Sequence, residues 1–150
     1  MPHQVTLIPG DGIGTEITEA TLEVLRATKV AIEWSRVDVG ETALAQGQPI
    51  LPDKALEEIR RTGVALKGPV GTPIGGGHRS VNVSLRQALD LFACVRPVRN
   101  IPGVKSRYQG VDLVIVRENT EGLYSGLEHV VTPGVTVSLK VVTEKACERI

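Results

Sequence analysis

The sequence predicts an α/β fold, with an open and mostly parallel sheet flanked by helices. Two observations lead to this prediction. Short apolar runs alternate with segments of helical periodicity, and glycine- and proline-rich loops follow the apolar runs. Strands that alternate with helices form βαβ units, in which the strands are parallel. A chain of 150 residues, 41% of them hydrophobic, can bury a core of this kind.

The first unit begins with an apolar strand at residues 5–8. The loop Pro-Gly-Asp-Gly-Ile-Gly follows at residues 9–14, and a helix comes next because apolar residues recur there at helical spacing. These residues are Ile17, Ala20, Val24 and Ala27. A β-rich segment over residues 30–39 completes the unit.

The next helix has a clear start and end. Pro52 suits its first turn, and Gly63 suits the position just past its last residue. A strand at residues 64–67 leads into a loop rich in glycine and proline, residues 68–77. Ligands of open α/β sheets bind at the carboxyl ends of strands, so this loop is a candidate binding region.

The remaining elements lie after this loop. Ser80 is a candidate N-cap for a helix with the apolar stripe Val81, Leu85, Ala88 and Leu89. Strands are predicted at 91–98 and 111–116, the second of them buried, with a polar linker at 100–110. A hairpin follows at 124–132 and 135–142, turning at Pro133-Gly134. Thr143 is predicted to cap a last helix, which carries Ala146, Cys147 and Ile150 on one face; since no C-cap signal follows, we expect the chain to be cut inside an element.

Composition argues against several classes of protein. Seventeen basic and seventeen acidic residues give no net charge, so no extended basic surface for nucleic acid or membrane is expected. Cys94 and Cys147 lack metal-type spacing and are interpreted as buried small residues in a reducing compartment. Without a signal for export or import, a cytoplasmic location is expected.

The first glycine loop does not complete the dinucleotide-binding fingerprint. Gly10 and Gly12 would require a third glycine at the position of Thr15, and Asp38 lies too far along the chain to serve as the ribose-binding acid. A tight turn that needs small residues is the favoured interpretation. No Walker A spacing is present in the second loop either.

Several groups that can bind anions occur in the second half of the sequence. Arginine offers a bidentate fork to carboxylates, and a helix N-terminus adds backbone donors. These candidates for a small polycarboxylate site are Arg79, Ser80, Asn82, Arg86, Arg96 and Arg117. Solvated surface arginines are the alternative, because spacing alone does not show that these groups converge.

Tyr124 is a candidate proton donor, since it lies in a segment bracketed by glycines, although a core or interface tyrosine is the more common case. His3, His78 and His129 lack the spacing of metal ligands. The acidic residues form no convincing cluster for a divalent metal, so no metal ligand is assigned in this chain.

Taken together, these motifs resemble the isocitrate dehydrogenases of the β-decarboxylating dehydrogenase family. The resemblance runs from the loop at 9–14, through residues 66–91 and Arg96-Pro97, to the sequence Arg-Glu-Asn-Thr-Glu-Gly-Leu-Tyr-Ser-Gly at 117–126. It covers essentially the whole chain in the family's order. Ser80 and Asn82 resemble the isocitrate branch, because isopropylmalate enzymes usually place an acidic and an apolar residue there.

The resemblance implies roles for individual residues. It implies that Ser80, Asn82, Arg86, Arg96 and Arg117 hold the carboxylates of isocitrate. It implies further that Thr72 and Ile13 approach substrate and nicotinamide, and that Tyr124 is the general acid of decarboxylation.

The chemistry implied is oxidation of isocitrate with NAD, followed by loss of carbon dioxide with the aid of Mg²⁺ or Mn²⁺, as in the tricarboxylic acid cycle. The short connection at 101–110 resembles NAD-type subunits, and NADP is the alternative. The catalytic lysine, the metal-binding aspartates and the adenosine-binding loop of the family would lie outside this chain, so the chain alone is expected to be inactive.

The family's organisation implies three segments. Residues 1–91 would be part of a large α/β domain, 92–121 the start of a small domain, and 122–150 part of a segment that interlocks two subunits of a homodimer. Two other activities stay open: a homoisocitrate or other β-decarboxylating dehydrogenase, and a non-catalytic subunit that binds carboxylates.

Overall fold

The computed structural model describes residues 1–71 and 80–150 of the chain. These residues divide into two units, Met1–Leu89 and Asp90–Ile150. The division into three segments at residues 91 and 121 stays a prediction.

The first unit contains a parallel sheet with helices, and the predicted α/β class is confirmed. Its strands are β1 (His3–Ile8), β2 (Ile32–Arg36) and β3 (Ala65–Lys67), and its helices are α1 (Gly14–Ala27), α2 (Glu41–Ala45), α3 (Asp53–Thr62) and α4 (Val81–Ala88). The strand order is β2-β1-β3, and β1 pairs in parallel with both neighbours. Parallel pairing brings the carboxyl ends of the three strands to one edge of the sheet.

The predicted limits of α3 are confirmed. Pro52 is its N-cap residue, and Gly63 follows its end with a positive φ of 71°, donating a hydrogen bond to Ile59 O at 2.8 Å. Glycine adopts this left-handed conformation without steric cost. The short helix α2 was not predicted, because its N-cap is Gly40 and no side-chain cap stands next to it in the sequence.

The face of α1 that packs inward is not the apolar stripe. Gly14, Thr18 and Leu22 are buried, whereas Ile17 and Val24 are 46% and 67% exposed. The Thr18 hydroxyl donates to Pro9 O at 3.0 Å, so a polar contact with the loop after β1 selects the inner face. The exposed stripe leaves apolar surface on the outside of this unit.

The core of the first unit lies between the sheet and the helices α3 and α4. Its buried residues are Ile8, Val39, Ala55, Val81 and Leu85. Of the predicted stripe on α4, Val81 and Leu85 are therefore core residues, as expected. This packing holds the start of α4 in the same unit as the carboxyl edge of the sheet.

The second unit consists of two antiparallel strand pairs and a short helix. Strand β4 (Ala93–Arg99) pairs with β5 (Asp112–Glu118), β6 (Gly122–Thr132) pairs with β7 (Val135–Val141), and α5 spans Glu144–Glu148. The predicted hairpin is confirmed, with Gly134 in its turn at a φ of 80°. The predicted cap is confirmed as well, because the Thr143 hydroxyl accepts a hydrogen bond from Ala146 N at 3.2 Å.

Two burial predictions are wrong. Strand β5 is largely exposed, as Val114 at 59% and Val116 at 47% illustrate. Cys94 is half-buried and Cys147 is exposed, although both were expected to be buried. For β5 and Cys94 the reason is that β4 and β5 form a two-stranded ribbon, which is too narrow to bury its own side chains. Cys147 lies on α5, whose buried residue is Ala146. None of the helices within residues 1–71 and 80–150 is long and apolar enough to cross a membrane.

Candidate functional site

The first part of the candidate site is the carboxyl edge of the parallel sheet, where two loops touch through their backbones. Gly68 N donates to Ile8 O and Asp11 N donates to Pro69 O, each at 2.8 Å. A Cβ atom on Gly10 would overlap the Pro69 carbonyl, and one on Gly68 would overlap the Pro9 carbonyl. The chain's own packing therefore requires these glycines, which supports the tight turn rather than a pyrophosphate cradle.

Asp11 is the centre of this edge, and sequence reasoning missed it. Its side chain is 9% exposed and accepts hydrogen bonds from Gly71 N at 3.0 Å, Thr42 N at 3.0 Å, the Thr42 hydroxyl at 2.9 Å and Glu41 N at 3.2 Å. Glu41 and Thr42 open α2, so Asp11 caps a helix some thirty residues away. Only a local cap can be found in a sequence, and this cap is not local.

The charge state of Asp11 follows from these contacts. Burial alone would raise the pKa of the carboxyl, but the hydrogen bonds from Thr42, Glu41 and Gly71 outweigh burial and hold the pKa below its ordinary value of 3.8. Asp11 is therefore an anion at neutral pH, which can accept all four hydrogen bonds.

Lys67 is a second residue that sequence reasoning did not single out. It ends β3, and its pKa is lowered from 10.5 by partial burial and by the positive charge of Arg86. Two cationic groups near the carboxyl edge favour an anionic ligand there. The sequence feature that could have identified Lys67 is its position at the end of a predicted strand, directly before the glycine-rich loop.

The predicted anion-binding residues of the first unit that the structure describes lie along α4, with Ser80 and Asn82 at its start and Arg86 in its last turn. Ser80 is the N-cap residue, but its side chain makes no capping hydrogen bond. Asn82 and Arg86 are half-buried and lie four residues apart, so they share one face of the helix. Thr72 and Arg79 lie outside the described residues.

Ile13, the predicted neighbour of the cofactor, precedes α1 and is 69% exposed. An exposed aliphatic side chain beside a strand's carboxyl end can offer an apolar contact to a ring. The loop around it supplies no further feature typical of a dinucleotide site.

In the second unit, the register of β4 and β5 brings two predicted residues together. Arg96 lies opposite Ile115, and Cys94 lies opposite Arg117. Arg96 and Arg117 therefore share one face of the ribbon at diagonal positions, which are about 7–8 Å apart in such a pair. This common face supports an anion-binding surface.

Arg117 also lies close to Tyr124. Its guanidinium carbon is 5.9 Å from the centre of the Tyr124 ring, and its Nη2 donates to Asn119 Oδ1 at 3.0 Å. Its Nε is buried and has no acceptor in the described part of the chain. A buried arginine nitrogen without a partner is costly, so a ligand that provides an acceptor would satisfy it.

A cavity of about 420 Å³ adjoins Tyr124 on the hairpin side. Its walls are mostly apolar, formed by residues that include Leu123, Val142, Cys147 and Ile150. Such walls do not suit a trianion.

The described residues do not by themselves fit a divalent metal. Within residues 1–71 and 80–150, no group of three or more His, Cys, Asp or Glu side chains is placed to hold one. No step of the chemistry is therefore assigned to a metal ligand of this chain.

Comparison with known proteins agrees with the fold. The family model described as isocitrate/isopropylmalate dehydrogenase matches residues 4–150. The chain is 49% identical over 148 residues to isocitrate dehydrogenase [NAD] subunit 2, mitochondrial, of Saccharomyces cerevisiae, covering 99% of this chain and 40% of that protein. It is also 49% identical over 147 residues to the chloroplastic 3-isopropylmalate dehydrogenase of Solanum tuberosum, covering 98% and 41%.

A solved structure gives the same result. The crystal structure of isocitrate dehydrogenase from Methylococcus capsulatus superposes with a TM-score of 0.89 at 47% identity, covering 98% of this chain and 44% of that one. The chain thus spans about 40% of the length of the curated relatives that it matches.

The predicted cytoplasmic location is wrong. The isocitrate dehydrogenase subunits of two budding yeasts, a fission yeast and Arabidopsis thaliana that match the chain all carry mitochondrial names. Cysteine usage, on which the prediction partly rested, indicates a reducing compartment and does not separate these locations. With the family model matched across residues 4–150, the chain belongs to the isocitrate/isopropylmalate dehydrogenase family.

Proposed function

We propose that the full-length protein is an NAD-dependent isocitrate dehydrogenase and that this chain supplies much of its substrate-binding surface. The observation that carries the proposal is the shared face of Arg96 and Arg117, with Tyr124 next to Arg117. Two cations and a phenol suit a substrate with several carboxylates that must gain a proton during the reaction.

Each unit contributes its own part to substrate binding. In the first unit, Ser80 and Asn82 lie at the start of α4, where backbone donors and the helix dipole add to the attraction for a carboxylate, and Arg86 lies in the last turn of the same helix. In the second unit, Arg96 and Arg117 would orient the other carboxylates and stabilise the negative charge that grows as carbon dioxide leaves.

Tyr124 would deliver the proton that completes decarboxylation. The bond to the leaving carboxylate breaks, its electron pair forms an enolate, and the carbanion carbon takes a proton from the phenol. The guanidinium of Arg117 lies beside the Tyr124 ring, where it can hold a substrate carboxylate close to the proton donor.

The cofactor and metal would be held largely by residues outside this chain. When bound, the nicotinamide accepts a hydride and Mg²⁺ or Mn²⁺ polarises the substrate oxygen. Of the present residues, Ile13 and Thr72 are proposed to lie near the nicotinamide and substrate. NAD is favoured over NADP by the yeast relative's name, isocitrate dehydrogenase [NAD] subunit 2.

The second candidate function is dehydrogenation of 3-isopropylmalate. The potato relative named for that activity is as similar as the yeast isocitrate relative, at 49% identity. Ser80 and Asn82 favour isocitrate, because both are polar groups that can hydrogen-bond an additional carboxylate, whereas isopropylmalate presents an alkyl group there. Homoisocitrate is the third substrate to test.

We also propose that two subunits pair through the hairpin of β6 and β7. The hairpin of β6 and β7 exposes apolar residues on both strands, including Val130 and Val137, which supports a role in pairing two identical subunits. A non-catalytic role in a mixed complex is the competing possibility, since the yeast relative is named as a subunit.

The test is steady-state kinetics of the full-length protein with Mg²⁺. Isocitrate, homoisocitrate and 3-isopropylmalate are compared, each with NAD and with NADP, and kcat/KM ranks them. We expect isocitrate with NAD to rank first. A higher value for 3-isopropylmalate or homoisocitrate would reassign the substrate, and tight isocitrate binding without reduction of either cofactor would favour the non-catalytic subunit.

A further inference from the structure

The turn that joins β5 to β6 is closed by the carboxylate of Glu118. Both oxygens of Glu118 accept from Thr120 N at 3.0 Å, Oε1 accepts from the Thr120 hydroxyl at 2.5 Å, and Oε2 accepts from Glu121 N at 2.8 Å. One side chain therefore accepts three hydrogen-bond donors of the turn at residues 119–121, namely the backbone N–H groups of Thr120 and Glu121 and the Thr120 hydroxyl.

The same turn is also held by hydrogen bonds with the two residues that flank α5, Thr143 and Arg149. The Glu121 carboxylate accepts from Thr143 N and from the Thr143 hydroxyl, both at 2.8 Å. Arg149 then returns to the turn, donating to the Thr120 hydroxyl oxygen at 2.7 Å and lying 3.5 Å from Glu118 Oε1. These contacts form a closed ring. It runs from Glu118 to Glu121, from Glu121 to Thr143 at the start of α5, and from Arg149 at the end of α5 back to Glu118.

Glu118 is able to fill this role because it is ionised. Burial raises the pKa of its carboxyl, but the hydrogen bonds from Thr120, Glu121 and Arg149 outweigh burial and lower the pKa below 4.5. An ionised carboxylate only accepts, which matches the set of donors around it.

The closed turn stands between the two groups that the proposed chemistry requires. Arg117 immediately precedes Glu118, and Tyr124 N donates to Glu121 O at 3.2 Å at the far end of the turn. Between them, Gly122 has a φ of 69°, a conformation that reverses the chain direction sharply. The turn thus sets the distance of 5.9 Å between the Arg117 guanidinium carbon and the Tyr124 ring centre.

We propose that Glu118 is a positioning residue, which holds Tyr124 against Arg117 through the turn at residues 119–121. The expected effect on kcat rests on the proposed function, whereas the expected effect on the turn at residues 119–121 does not. Glu118 touches neither substrate nor reacting atoms; it acts on the proton donor through Thr120 and Glu121.

The test replaces Glu118 by Gln in the full-length enzyme. The amide keeps the shape, but its NH₂ group faces N–H donors that it cannot accept from. Glu128→Gln is the matched control, since Glu128 is an exposed carboxylate on β6. Three quantities are measured: kcat, the dissociation constant of isocitrate, and amide hydrogen exchange over residues 119–124.

If Glu118 positions Tyr124, kcat falls by roughly ten- to a hundredfold, the size expected for misplacing a catalytic group by about 1 Å. Isocitrate binding weakens by less than about threefold, because the contacts at Ser80, Asn82, Arg86 and Arg96 are kept. Amide exchange over 119–124 accelerates, and the control changes none of the three quantities.

Other outcomes overturn the proposal. Faster exchange with unchanged kcat would mean that Glu118 supports the turn without positioning Tyr124, and unchanged exchange would mean that it does not hold the turn. If the wild-type enzyme fails to oxidise isocitrate, the proposed function fails, while exchange still decides whether Glu118 holds the turn. Should Glu118→Gln not fold, Thr120→Val removes the hydroxyl that donates to Glu118 and accepts from Arg149 while the backbone donors to Glu118 are kept, and the same readouts decide.

Discussion

Asp11 Oδ2 accepts a hydrogen bond of 3.0 Å from the backbone N–H of Gly71, sixty residues further along the chain. The same carboxylate caps α2 through Glu41 and Thr42. One buried anion thus joins three loops at the carboxyl edge of the parallel sheet. Gly71 directly precedes Thr72 in the sequence, so this contact holds the backbone of the residue before the one for which a substrate role is proposed.

Asp11→Asn is expected to destabilise the full-length protein by about 1–3 kcal/mol. The amide has one acceptor oxygen where the carboxylate had two, and at least one buried backbone donor loses its partner. Urea denaturation measures the change. The control Asp53→Asn, at an exposed position in the first turn of α3, is expected to change stability by no more than about 0.5–1 kcal/mol. Equal effects of the two variants would contradict the role of Asp11.

The contribution of Asp11 should depend on pH in one direction. Since its pKa is lower in the folded protein than its ordinary value of 3.8, the stability it provides is complete above that value and is lost as the pH falls through the folded pKa. The difference in unfolding free energy between wild type and Asp11→Asn should therefore be constant from neutral pH to about pH 5 and shrink at lower pH. A difference that grows on acidification would be inconsistent with a lowered pKa.

Gly10→Ala and Gly12→Ala form a matched pair in one loop. Both glycines have positive φ, 87° and 55°. An added Cβ at Gly10 would overlap the Pro69 carbonyl, whereas nothing lies within 4 Å of one at Gly12. We expect Gly12→Ala to cost about 1–2 kcal/mol from backbone conformation alone, and Gly10→Ala to cost considerably more because β1 and β3 must separate. Comparable melting temperatures for the two variants would refute this difference.

Tyr124→Phe and Arg86→Ala should separate proton transfer from binding. Tyr124→Phe removes only the phenolic hydroxyl, so release of carbon dioxide slows while the dissociation constant of isocitrate changes little. Arg86→Ala removes the partner of a substrate carboxylate. We expect kcat/KM to fall, mainly through weaker binding, by a factor that corresponds to several kcal/mol of lost transition-state stabilisation. Steady-state kinetics and calorimetric titration give both quantities. Small and equal effects would argue against the two assigned roles.

Arg149→Lys tests the contribution of Arg149 to the ring of contacts around the turn at residues 119–121. Arg149 is 19% exposed, bonds Asp90 at 3.0 Å and stacks 4.6 Å from the Phe92 ring centre. Lysine has no planar fork to replace these contacts, so a loss of about 1–3 kcal/mol is expected. The control Arg99→Lys alters an ion pair whose side chains are 75% and 66% exposed, and it should change stability by less than about 0.5 kcal/mol. Thermal unfolding of the full-length protein compares the two, and an equal shift would refute a special role for Arg149.

Local features of the sequence predicted most of the elements correctly. The limits of α3, the hairpin turn at Gly134 and the cap at Thr143 each depend on one or two residues that are adjacent in the chain. The α/β class depends on the alternation of such elements, which is equally visible in the sequence. Spacing alone did not show whether the predicted anion-binding residues converge. The register of β4 and β5 shows that Arg96 and Arg117 share one face.

The sequence by itself thus determined the fold class and the family, because these follow from local pattern and motif. Only the tertiary structure decided that Asp11 caps α2, that Glu118 closes the turn before Tyr124, and that Thr18 rather than the stripe of α1 faces inward. The physical reason is that a buried polar group must find a partner wherever the fold places one. The partners of Asp11 lie about thirty and sixty residues away, a distance at which no local pattern in the sequence marks them.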